Sequence, residues 1–153
     1  RFNPNLYRNG KVCLSILNTW RGEQWSSCQN ISTILLTLVT IFNNNPLLNE
    51  PGYSESNKWC ELYKGCIEFM NYKSAIINIV NKKLLQNQFD MFYPTVLEHF
   101  NKKKEIILER IKKLVNSSHD NKNINLEVYL RMTTNINYKL LQDNFEQLIK
   151  QIN

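Results

Sequence analysis

The 153 residues carry 19 Lys and Arg against 13 Asp and Glu, for a net charge of +6 at pH 7. Four Gly, four Pro and four Cys are too few for a collagen-like or disulfide-stapled chain, and no apolar run approaches the ~18 residues of a spanning helix. A soluble globular domain with no membrane partner is the reading that remains. The basic balance favours acidic partners. Its one compact cationic run, Lys102-Lys103-Lys104, has no interleaved aromatics, so it predicts a solvated helix face and no specific nucleic acid. The cysteines at 13, 28, 60 and 66 form no C-x-x-C pair or zinc spacing, and only His99 and His119 could join them, so no metal or cofactor is expected. Reduced thiols suit a cytoplasmic or nuclear location. The chain opens at Arg1 with neither an initiator Met nor a leader, as a fragment of a longer product or of a truncated gene would.

Residues 1–30 are irregular in pattern, with turn signals and two tryptophans. Over 31–42, Ile31, Ile34, Leu35, Leu38, Val39, Ile41 and Phe42 nearly encircle a helix, which predicts a core helix buried on more than one side. Asn43-Asn44-Asn45-Pro46 ends it. Over 57–83, Trp59, Leu62, Tyr63, Cys66, Ile67, Met70, Ile76, Ile77, Val80 and the adjoining Leu84 recur at three- and four-residue steps. They predict a long amphipathic helix bent near 71–73, with Cys60 off its main stripe. Over 95–115, Val96, Leu97, Phe100, Ile107, Leu108, Ile111 and Leu114 mark another helix. Residues 116–123 have loop composition, and 126–152 read as one or two further helices interrupted at Thr133-Thr134-Asn135.

The informative stretch is Asn3-Pro4-Asn5-Leu6-Tyr7-Arg8-Asn9-Gly10-Lys11-Val12-Cys13-Leu14-Ser15-Ile16-Leu17. Asn9-Gly10 signals a tight turn, because both residues tolerate positive φ. Beyond it Val12, Leu14 and Ile16 alternate with Lys11, Cys13 and Ser15. An extended chain would bury the first set and turn Cys13 away from the core.

This stretch resembles the ubiquitin-conjugating (UBC) family, whose pattern is a His-Pro-Asn tripeptide and a nucleophilic cysteine eight residues after its Asn. Asn5 to Cys13 has that spacing, Trp25 stands where the family keeps a tryptophan, and Asn49-Glu50-Pro51-Gly52-Tyr53 closes the match. Asn3 replaces the histidine, as in the large apollon (BRUCE) type enzymes, which the sequence resembles most over 1–53. The resemblance implies an α+β UBC-like fold. The family's first helix and most of its sheet precede the tripeptide, so this chain should be mainly α-helical and lack them. Residues 1–115 would be the C-terminal part of the catalytic domain and 116–153 a helical C-terminal extension.

By the same resemblance, Cys13 would take the ubiquitin C-terminal glycine as a thioester from the ubiquitin-activating enzyme. It would pass it to a substrate lysine or to a ubiquitin ligase. Asn5 would stabilise the oxyanion or support the cysteine loop, and Glu50 would orient or deprotonate the incoming lysine. The loop of Trp25, Ser26, Ser27 and Cys28 lacks the Pro-Ala pair common on the family's ligase-binding surface. Cys28, Cys60 and Cys66 read as core or chance thiols. A catalytically silent UBC-like module that binds ubiquitin or a partner is the alternative, and a basic helical interaction domain is a third.

Overall fold

A computed structural model of the chain describes residues 1–83, 87–128 and 132–152. Leu84 therefore lies outside the described residues. The fold is mainly helical, with one two-stranded sheet. The chain divides into two compact units. One is built on Arg1–Lys64, with Val128 assigned to it, and the other on Gly65–Glu127 and the described residues from Met132 onward.

In the first unit the tight turn forms as the sequence predicts. Gly10 N donates to the carbonyl of Tyr7 at 3.1 Å, Gly10 takes φ +89°, and Lys11 N is held by Asn9 Oδ1 at 3.1 Å. The strands it joins amount to one antiparallel bridge, Leu6 to Val12. A 3-10 turn over Ser15–Leu17 then replaces the extended chain. Helix α1 (Ile31–Ile41) starts at a capping box: Asn30 Oδ1 accepts from Thr33 N, and Thr33 Oγ1 accepts from Asn30 N. It stops at Phe42, ahead of Pro46.

The burial expected for α1 is not observed. None of its residues is buried: Ile31 is 74% exposed and Val39 67%, and Leu35, Leu36 and Phe42 are exposed as well. Only Ile34, Leu38 and Ile41 among its large side chains are half-covered. Apolar residues around the circumference report what a helix can bury, and burial itself requires a partner surface. The described residues supply α1 with one only along a narrow strip.

Helix α2 (Trp59–Met70) passes into a π-helical stretch, Asn71–Ile77, and then α3 (Asn78–Val80). This is the long helix of the sequence reading, and its π-helical irregularity begins at Asn71, where the sequence predicts a bend. Cys60, predicted off the stripe, is buried, and its thiol donates to the Ser54 carbonyl at 3.2 Å. The preceding loop folds over that side of the helix.

In the second unit α4 (Tyr93–Leu114) buries Phe100 and Ile111 and exposes Lys102, Lys103, Lys112 and Lys113, with Lys104 half-buried. Residues 126–152 depart from prediction. In place of one or two helices interrupted at Thr133-Thr134-Asn135, β1 (Lys122–Leu126) and β2 (Met132–Ile136) pair antiparallel, Ile124 opposite Thr134, before α5 (Tyr138–Ile152). Ile124, Leu126, Thr134 and Ile136 face inward at a period of two. Five-residue strands offer too few repeats to separate that period from a helical one, and the extension is therefore a hairpin followed by a helix.

The core of this unit is aromatic and aliphatic. Phe69 meets Tyr138 edge-on at 5.5 Å, and Phe100 packs on Phe145 at 5.6 Å. One buried carboxylate organises the turn before the hairpin: Asp120 accepts from the backbone N–H of Asn116, Asn121 and Tyr138 at 2.8–2.9 Å. Burial pushes its carboxyl up, but those three donors together hold it below the usual carboxylate range.

Candidate functional site

Cys13 and Asn5, eight residues apart, are paired through their backbones and one side chain. Cys13 N donates to the carbonyl of Asn5 at 2.8 Å, and Asn5 Nδ2 donates to the carbonyl of Cys13 at 2.7 Å. Thr19 closes the other side: Leu14 N donates to Thr19 Oγ1 at 3.0 Å, and that hydroxyl donates to the carbonyl of Val12. Both neighbours of Cys13 are thus tied to one side chain.

This double clamp overturns the predicted orientation of the cysteine. Cys13 is 3% exposed, alongside the buried Leu14 and Ile16. Alternation assumes an extended strand with one free face. Here the strand lasts for a single bridge, the Asn5 segment covers one side, and the turn at Ser15–Leu17 breaks the period.

Asn5 Nδ2 ties its own segment to the Cys13 carbonyl, a contact of the loop-support kind, with one of the two amide N–H donors. Its Oδ1 is buried and finds no hydrogen-bond partner among the described residues. Asn3, in the position of the family histidine, is fully buried. Its Nδ2 donates to the Ile41 carbonyl at the end of α1, at 2.8 Å, and its Oδ1 accepts from Asn5 N at 2.9 Å. A short amide thereby joins the tripeptide to the helix end.

Glu50 lies at the end of the 3-10 turn Pro46–Asn49 and is half-buried, with its N–H on the Leu47 carbonyl at 3.1 Å. Its neighbour Asn49 is tied to the same helix end as Asn3: Asn49 Nδ2 donates to the Ile41 carbonyl at 2.8 Å and to Asn3 Oδ1 at 3.4 Å. Asn3, Thr19 and Asn49 were given no structural role by sequence reasoning. For Asn49 the only local signal is adjacency to Glu50, because its partners Asn43, Ile41 and Asn3 lie 6, 8 and 46 residues away.

The other cysteines separate by environment. Cys28 is exposed on the loop, as are Trp20 and Trp25. Burial pushes the Cys66 thiol up, with a hydrogen bond from Thr134 opposing it. Burial, then Glu61 and Glu55, pushes Cys60 up. Neither Cys60 nor Cys66 offers much thiolate at neutral pH.

A family model for ubiquitin-conjugating enzyme matches residues 1–67, the span that contains all of these groups. Ubiquitin-conjugating enzyme E2 Z of Danio rerio is 42% identical over 86 residues, covering 55% of this chain and 26% of the relative. A probable ubiquitin-conjugating enzyme of Acanthamoeba polyphaga mimivirus is 35% identical over 132 residues, covering 79% of this chain and 9% of the relative. The dual E2 ubiquitin-conjugating enzyme/E3 ubiquitin-protein ligase BIRC6 of Homo sapiens is 36% identical over 108 residues, covering 65% of this chain and 2% of the relative. The chain spans about a quarter of the length of the E2 Z relatives it matches. Residues 1–67, with Cys13 and Asn5 at the family spacing and Asn3 in place of its histidine, belong to the ubiquitin-conjugating enzyme family.

Proposed function

We propose that the protein forms a thioester between Cys13 and the C-terminal glycine of ubiquitin and transfers it to a lysine or to a ligase. The observation that carries this reading is the reciprocal pairing of Asn5 and Cys13, which fixes the backbone on both sides of the thiol. Cys13 Sγ attacks the thioester carbonyl carried by the activating enzyme, whose own thiolate leaves. A lysine amine then attacks the new thioester: the C–N bond forms, the C–Sγ bond breaks, and Cys13 departs as thiolate. Asn5 supports the loop, and Glu50 orients the amine and takes its proton. Ubiquitin, the activating enzyme, a ligase and substrate lysines are the partners, in the cytoplasm or nucleus.

The test is charging of the natural full-length protein with ubiquitin, activating enzyme and ATP. A reducible adduct should form and vanish in Cys13→Ala, and Cys13→Ser should trap a reductant-stable oxyester. An adduct that survives Cys13→Ala but disappears on replacing Cys28, Cys60 or Cys66 would assign the chemistry to another thiol.

The burial of Cys13 favours a second reading, a silent module that binds ubiquitin or a partner without turnover. Ubiquitin binding without any Cys13 adduct would select it.

A further inference from the structure

The loop that carries Glu50 is joined to the Cys13 segment by a path of uncharged hydrogen bonds. Asn49 Nδ2 shares the Ile41 carbonyl with Asn3 Nδ2, each at 2.8 Å, so two amides occupy both lone pairs of one helix-end oxygen. Asn49 Oδ1 accepts from Asn43 Nδ2 at 3.0 Å, and Asn43 Oδ1 accepts from Asn45 N at 2.9 Å. From Asn3 the path continues to Asn5 N and from Asn5 to both backbone groups of Cys13. Helix α1 has no basic residue in its last turn, so amides rather than a cation answer its C-terminal carbonyl there.

Position 49 needs a side chain that donates and accepts at once over a short reach. Asparagine does both without titrating. A carboxylate there would face the Ile41 oxygen, and alanine would leave it one donor short.

We infer that Asn49 is a positioning residue for lysine attack, holding the Glu50 loop in register with the Cys13 segment through Ile41 and Asn3. The inference rests on the reading of Cys13 as thioester nucleophile and extends it to a residue outside Cys13, Asn5 and Glu50. In the step concerned, the lysine Nζ–C bond forms, the C–Sγ bond breaks, and the amine proton passes to the Glu50 carboxylate.

The experiment separates charging from discharge in the natural full-length protein. Wild type, Asn49→Ala, Glu50→Ala and the double variant are charged with ubiquitin, activating enzyme and ATP, then chased with free lysine. Asn49→Ala should charge at the wild-type rate and discharge about tenfold more slowly, because small misplacements of reacting groups are costly in rate. In the Glu50→Ala background it should add less than about twofold, since it acts through Glu50. Should Asn49→Ala fail to fold, Asn43→Ala removes the bond to Asn49 Oδ1, together with the one that Asn43 Oδ1 accepts from Asn45 N, and should show a smaller slowing with the same non-additivity. Charging and discharge falling together, or losses that multiply in the double variant, would overturn the positioning role. A wild-type protein that does not charge at Cys13 overturns the underlying reading instead, so the two failures are distinguishable.

Discussion

The two units are held together by different chemistry. In Arg1–Lys64 the buried set is small, chiefly Asn3, Cys13, Leu14, Ile16, Leu47, Cys60 and Tyr63, and the loops are tied by Asn3, Asn5, Thr19, Asn43 and Asn49. The second unit buries Phe69, Tyr72, Phe100, Ile111, Tyr138, Leu141, Phe145 and Leu148 around a hairpin face. Apolar burial scales with area and is indifferent to direction, so it supplies stability. Hydrogen bonds are directional and contribute little net free energy each, so they define where backbone and side chains point. The candidate site lies in the unit that uses direction.

The sharpest test of this division is Phe145→Ala. The ring is fully buried against Phe100, and its removal should cost about 3–5 kcal/mol, read as a lower urea midpoint of the chain. A loss below about 1 kcal/mol would mean that the aromatic core does not dominate the second unit.

Asp120→Ala should cost about 2–3 kcal/mol, because it strands backbone donors that the carboxylate satisfies. The folded carboxyl titrates below its ordinary value of 3.8, so its contribution is present above that pH and is lost as pH falls through the lowered value. Urea midpoints between pH 5 and pH 2 should fall on the acid side in wild type, and less steeply in Asp120→Asn. Equal slopes would remove Asp120 from the account.

Gly65 tests packing against a polar ring. A Cβ there would meet the His119 imidazole at 3.1 Å, so Gly65→Ala must displace the ring by a few tenths of an ångström. The expected cost is about 1 kcal/mol, and co-substitution of His119→Ala should relieve it. A Gly65→Ala protein as stable as wild type would show that the imidazole moves freely.

The smallest effect belongs to α1. Leu36→Lys or Val39→Lys should change the stability of the chain by less than about 0.5 kcal/mol, because both side chains are already 67% exposed. A loss above 1 kcal/mol would show that this face is covered in solution.

Sequence alone determined the features that depend on near neighbours. The Asn9-Gly10 turn, the extents of α1 and α4, the irregularity near 71 and the spacing from Asn5 to Cys13 all rest on local dihedral preference or helical period. Tertiary structure decided what depends on groups distant in the chain. Whether Cys13 faces in or out was set by the Asn5 segment and Thr19, and the strand period was too short to overrule them. The apolar circumference of α1 was legible, but its bare face was not, because a helix cannot encode whether a partner surface reaches it. The hairpin at 122–136 hid in five-residue strands that either period fits. Asn49 became part of the site only when folding brought it to Ile41 and Asn3, since a hydrogen bond needs atoms within about 3 Å and sequence distance carries no such information.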